Sequence, residues 1–93
     1  MANTRKEKPD WFQLCDKLKA IVVIEAGTYQ DLCAFVDVAP ARYFEWVARK
    51  REPSAQKALM IQKWVAQTEA AMTTEKTIEY KTEIKNVRKS PNE

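Results

Sequence analysis

The sequence predicts an all-α domain, and three observations carry that expectation. A single glycine and four prolines in 93 residues leave little material for the tight turns of a sandwich or barrel, because glycine ordinarily makes up about 7% of a protein. Apolar residues recur at three- and four-residue spacing over most of the chain. Residues that start or stop helices punctuate those stretches. A chain of this length holds one core and no second.

Residues 1–9 are polar and read as a basic arm carrying Arg5, Lys6 and Lys8. Asp10 with Gln13 has the form of a capping box just after Pro9. Trp11, Leu14, Cys15, Leu18, Ile21 and Val22 then keep helical spacing as far as Ala26. Gly27 stands where a helix commonly stops on a left-handed residue. Thr28 offers the next N-cap, with Asp31 placed to favour the positive end of the helix dipole. Leu32, Cys33, Phe35 and Val36 form the apolar face of a second helix of about two turns. The Val38-Ala39-Pro40 segment ends it, and Pro40 suits the first position of a third helix, where its missing N–H would lack a partner anyway. Tyr43, Phe44, Trp46 and Val47 carry that helix to about Ala48. Arg49-Lys50-Arg51-Glu52 is a charged connector, and Pro53-Ser54 opens a fourth helix with Ala58, Leu59, Ile61, Trp64, Val65, Thr68 and Met72 on its apolar face.

Beyond Met72 the pattern changes. Ile78, Tyr80, Thr82 and Ile84 alternate with Glu79, Lys81 and Glu83, a period of two that predicts a strand over 77–84. A helix from Thr74 is the alternative, supported by Glu75/Glu79 and Lys81/Lys85 at helical spacing. The chain therefore divides into an arm (1–9), a four-helix domain (10–72) and a C-terminal extension with a solvated tail (73–93). A lone strand leaves its backbone unpaired, so the extension is the expected dimer contact through Ile78, Tyr80 and Ile84.

Several function classes drop out. The chain has two cysteines and no histidine, too few ligands for a structural metal site. Cys15 and Cys33 fall on apolar helical faces and read as reduced core thiols. No apolar run approaches the roughly 18–20 residues of a membrane span, and no secretory leader is recognisable, so the expected location is the cytoplasm. Without histidine or a glycine-rich phosphate loop, no set of residues supplies nucleophile, base and oxyanion site together. The expectation is a binding protein without a cofactor, not an enzyme.

Residues 28–51 carry the functional expectation. Two short helices joined by a tight turn form a helix-turn-helix when specific positions are filled. The helices need a small residue where they approach (Cys33) with apolar neighbours (Leu32, Val36). An apolar residue closes the turn (Val38), and two more face inward from the second helix (Tyr43, Trp46). With these slots filled, and with Trp46 followed by Arg49-Lys50-Arg51 and Pro53-Ser54, the chain resembles the lambda-repressor/Cro-like superfamily over residues 11–66. Asp37 stands where such turns usually carry glycine, and Ala39 where the second helix usually has a Ser or Thr cap. The resemblance implies a four-helix domain and a small transcriptional repressor of phage, plasmid or bacterial type, binding double-stranded DNA as a homodimer.

With Tyr43, Trp46 and Val47 inward, helical geometry places Ala41, Glu45 and Ala48 near the centre of the exposed face, with Arg42 and Phe44 flanking it and Pro40 at the groove-entering end. Pro40, Ala41, Arg42, Phe44 and Glu45 are the residues expected to meet bases. Arg42 suits guanine, Ala41 or Phe44 a thymine methyl, and Glu45 the amino group of cytosine or a neighbouring Arg49. Thr28, Tyr29 and Gln30 at the start of the second helix, and Arg49, Lys50, Arg51 and Lys57, are the expected phosphate contacts. Residues 42–63 hold six cations against two carboxylates, a net +4, within a chain of net +3. The charge is thus concentrated beside the expected DNA surface. The apolar character of Pro40, Ala41, Phe44 and Ala48 supports an alternative: the same scaffold used against another regulatory protein, as an antirepressor or an accessory factor of a transcription or recombination complex.

Overall fold

The computed structural model describes residues 10–89. It is all-helical: α1 (Trp11–Val23), α2 (Tyr29–Val36), α3 (Pro40–Val47), α4 (Ala55–Ala71) and α5 (Thr74–Lys89). Arg5, Lys6 and Lys8 of the expected basic arm lie outside the described residues.

The helices begin where short polar side chains satisfy otherwise orphaned amides. Asp10 accepts from the Phe12 N–H, Thr28 from Asp31 and Ser54 from Lys57. Pro40 takes the first position of α3 behind Ala39, which supplies no side-chain cap. The end of α1 departs from expectation. Glu25 (φ 62°), Asp37 (φ 59°) and Arg49 (φ 62°) take the left-handed positions after α1, α2 and α3, and Gly27 does not. After α1, Ala26 N–H donates to Ile21 C=O (2.9 Å) and Glu25 N–H to Val22 C=O (3.1 Å), the paired bonds of a Schellman closure. Lys50 to Glu45 and Arg49 to Trp46 repeat the pattern after α3. The helix thus stops before Ala26, and Gly27 serves a different need. A Cβ at Gly27 would lie 3.0 Å from Trp64 Cη2 and 3.2 Å from Ile21 Cγ2. Close packing, not backbone freedom, asks for glycine there.

α1 forms the centre of the fold, packing against α3, α4 and α5, while α2 rests on α3 and α4. Leu18 and Ile21 of α1, Leu32 and Val36 of α2 and Ile61 of α4 are fully buried. Each such side chain contributes about 1.5–3 kcal/mol through removal from water. Phe35 and Leu59, counted with the apolar faces in the sequence, stay exposed. Cys15 and Cys33 are free and buried, as expected, and burial pushes both thiols above their ordinary pKa.

The expected strand over 77–84 is a helix. Its alternation concealed a second period: Tyr80 is buried and Ile84, four residues on, packs against the core, while Ile78 is left 60% exposed. Thr73 caps α5 by accepting from the Lys76 N–H at 3.1 Å. Tyr80 is buried in the same core as α1 to α4, and its hydroxyl donates to Glu69 Oε2 at 2.6 Å. The Lys76 ammonium donates to the Ile24 carbonyl at 2.8 Å. Helix and side-chain bonds satisfy this segment within its own chain, so it needs no strand partner. The helix also takes in residues 88 and 89, assigned to the tail from sequence.

Candidate nucleic-acid interface

The surface is built on the α2–turn–α3 unit. Asp37 is left-handed (φ 59°, ψ 57°), a conformation that Asp tolerates better than most residues. Val38 N–H then donates to Cys33 C=O at 3.0 Å, which closes the turn. Extended Ala39 delivers the chain to Pro40, and Arg42 N–H closes the first turn of α3 on the Ala39 carbonyl.

α3 is seated by its aromatic residues. Tyr43 and Trp46 are 4% and 2% exposed, the inward positions that the sequence assigned to them. Trp11 meets Trp46 edge to face at 6.3 Å, and its indole N–H donates to the Trp46 carbonyl at 3.3 Å. Tyr29 of α2 stacks on Tyr43 at 5.4 Å and tilts against Phe44 at 5.0 Å. Such aromatic contacts contribute about 0.5–1.5 kcal/mol each beyond area burial. Burial pushes the Tyr43 phenol up to about 12, with Cys15, Cys33 and Tyr29 adding to the shift.

The opposite face of α3 presents Pro40, Ala41, Arg42 and Phe44 to solvent, with Glu45 half-buried beside them. A depression of about 280 Å³ runs along it, lined by Val38, Ala39, Ala41, Arg42 and Glu45. Glu45 pairs with neither solvent alone nor Arg49. Its Oε1 lies 3.3 Å from Arg42 Nε and 3.2 Å from Arg51 Nε.

The basic residues separate into different roles. Arg49 lies 3.4 Å from Asp16 Oδ1 and stacks its guanidinium over Phe12 at 4.5 Å, so it ties the end of α3 to α1. Lys57 donates to the Val36 carbonyl, where a cation suits the negative end of α2. Lys50 and Arg51 are exposed. Thr28 spends its hydroxyl on capping α2, Gln30 is exposed, and Tyr29 is half-buried in its aromatic stack. The structure thus brings Arg42, Glu45 and Arg51 together, and turns Arg49 and Lys57 toward the fold.

Asp16 and Phe12 went unnoticed in the sequence. An acidic residue between Cys15 and Leu18, on the buried side of α1, was the available signal, since a buried carboxylate requires a partner. The expected dimer residues also divide. Tyr80 is only 5% exposed and Ile84 packs against the core, so of the three only Ile78 presents itself outward.

Among the described residues, no group of three or more His, Cys, Asp or Glu side chains is placed to hold a metal ion. No helix among them is long and apolar enough to cross a membrane. Comparison with protein-family models, with curated proteins and with solved structures yields no match.

Proposed function

We propose that the chain is a sequence-specific DNA-binding transcriptional regulator of the lambda-repressor/Cro-like type. On this reading it acts in the cytoplasm as a repressor and binds its operator as a homodimer. α2 and α3 serve as the helix-turn-helix, and α3 enters the major groove. One observation carries the reading. The turn between α2 and α3 closes on left-handed Asp37, and Tyr43 and Trp46 bury one face of α3 while Arg42 stands on the other. That is the geometry needed to offer a short helix to a groove about 12 Å wide. The cationic excess over 42–63 lies next to it.

The division among the cations refines the contacts. Arg42 is the base reader, Lys50 and Arg51 are the phosphate contacts, and Arg49 and Lys57 act mainly by holding α3 and α2 in place. A single unit reads about four to six base pairs, which is why a dimer on paired half-sites belongs to the proposal. Ile78 and the exposed side of α5 are its candidate contact.

The exposed apolar residues Pro40, Ala41 and Phe44, the last 49% exposed, favour a second reading, in which α3 docks on a protein. Selection from a randomised pool of duplexes separates the two. Enrichment of a palindromic motif, with affinity falling steeply with salt, supports the regulator. No enrichment, or a partner complex insensitive to salt, refutes it in favour of the second reading.

A further inference from the structure

We propose that Glu45 is a positioning residue that couples Arg42 to Arg51, so that guanine contact by one and phosphate contact by the other act as a unit. The proposal rests on the DNA-binding reading above. Arg42 lies on α3 and Arg51 lies beyond the left-handed stop at Arg49, yet one oxygen, Glu45 Oε1, is within 3.3 Å of both Nε atoms. Engagement at Nε leaves the paired Nη atoms of each guanidinium as the edge turned to a ligand. That edge matches the O6 and N7 acceptors of guanine, or two oxygens of a phosphate.

Glu45 Oε1 is shut off from solvent and takes no aligned hydrogen bond, so its role is that of a charge between two cations. The three side chains are 41–58% exposed. Ion pairs this open add little stability, so the triad's effect falls on orientation. Without the carboxylate charge, the two guanidiniums repel at short range and separate. Arg42 then reaches its base only at the expense of lost side-chain freedom.

The test measures binding of the full chain to a selected duplex and to a random duplex of equal length, by fluorescence anisotropy across a salt series. Glu45→Gln is expected to lower the selected-to-random affinity ratio by about tenfold while random binding holds or strengthens. Arg51→Gln is expected to lower the same ratio about threefold or more, although a plain phosphate contact would weaken both duplexes alike. A double-mutant cycle between Arg42→Gln and Arg51→Gln is expected to show non-additivity of about threefold to tenfold that vanishes in the Glu45→Gln background. An unchanged ratio in Glu45→Gln, or additive Arg42 and Arg51 losses, overturns the coupling and leaves the regulator reading intact. A wild-type chain that binds no duplex overturns both. Thermal melts of each variant confirm a folded chain, and loss of the ratio confined to a variant that melts early also counts against the coupling.

Discussion

Arg49 and Lys50 are neighbouring cations that the sequence assigns to the same role, and the structure separates them. Replacing Arg49 with alanine removes the contact with Asp16, whose side chain is 11% exposed, and the stacking over Phe12 at 4.5 Å. The Arg49 side chain is itself 45% exposed, so solvent screening limits the ion pair to about 0.2–1 kcal/mol. A cation over an accessible ring adds about 0.5–1 kcal/mol. Together they predict a loss of about 1–2 kcal/mol, which lowers Tm by about 4–16 °C for a domain of this size. Lys50→Ala is expected to leave stability within about 0.5 kcal/mol and to flatten the salt dependence of DNA affinity by about one unit. Calorimetry and anisotropy titrations of the two variants, run at a temperature where both are folded, make the comparison. An Arg49→Ala protein that melts like wild type and loses as much affinity as Lys50→Ala would refute the assignment of Arg49 to the scaffold.

Four further outcomes are expected. Gly27→Ala forces a methyl to within 3.0 Å of the buried Trp64 ring and should destabilise by about 1–2 kcal/mol. Glu25→Gly relieves a left-handed residue at φ 62° and should stabilise by about 0.5–1 kcal/mol after the added unfolded-state entropy; denaturant melts that reverse these signs reject the account of the α1 terminus. The Tyr43 phenol, raised to about 12 by burial, keeps its proton in the folded chain after the unfolded chain begins to lose it near 10. Its stabilising contribution is therefore complete below about 10 and disappears as pH climbs to about 12, a fall of about 2–3 kcal/mol to be read from denaturant melts over that interval. Tyr80→Phe deletes the 2.6 Å hydrogen bond to Glu69 and should cost about 1 kcal/mol, visible as a lowered Tm with no change in DNA affinity.

Local chemistry explains which parts of the fold were legible. Asp10, Thr28, Pro40 and Ser54 act over a few residues, so the starts of α1 to α4 could be read directly. Asp37 was legible as a turn residue for the same reason. α5 was not, because Tyr80 and Ile84 belong to both a period of two and a helical repeat. Packing against α1 decides between them. At the candidate site, the helix-turn-helix pattern put Tyr43 and Trp46 inward, and helical geometry then put Arg42 outward. The partners of Arg49 and Lys57 lie 33 and 21 residues away, and no local pattern encodes contacts at that separation. Gly27 was assigned by custom to a backbone role, whereas the reason for it sits on α4.

α2 and α3 are eight residues each, well short of the ~12–15 at which an isolated helix becomes even marginally stable in water. Their order is lent by α1 and α4, through Trp11 under Trp46 and Lys57 under the end of α2. The surface they present cannot be cut out as a peptide and keep its shape. The linkage also runs in the other direction. A ligand that grips α3 opposes every opening that would release it, so amide exchange should slow along α1, a helix that the ligand itself does not touch.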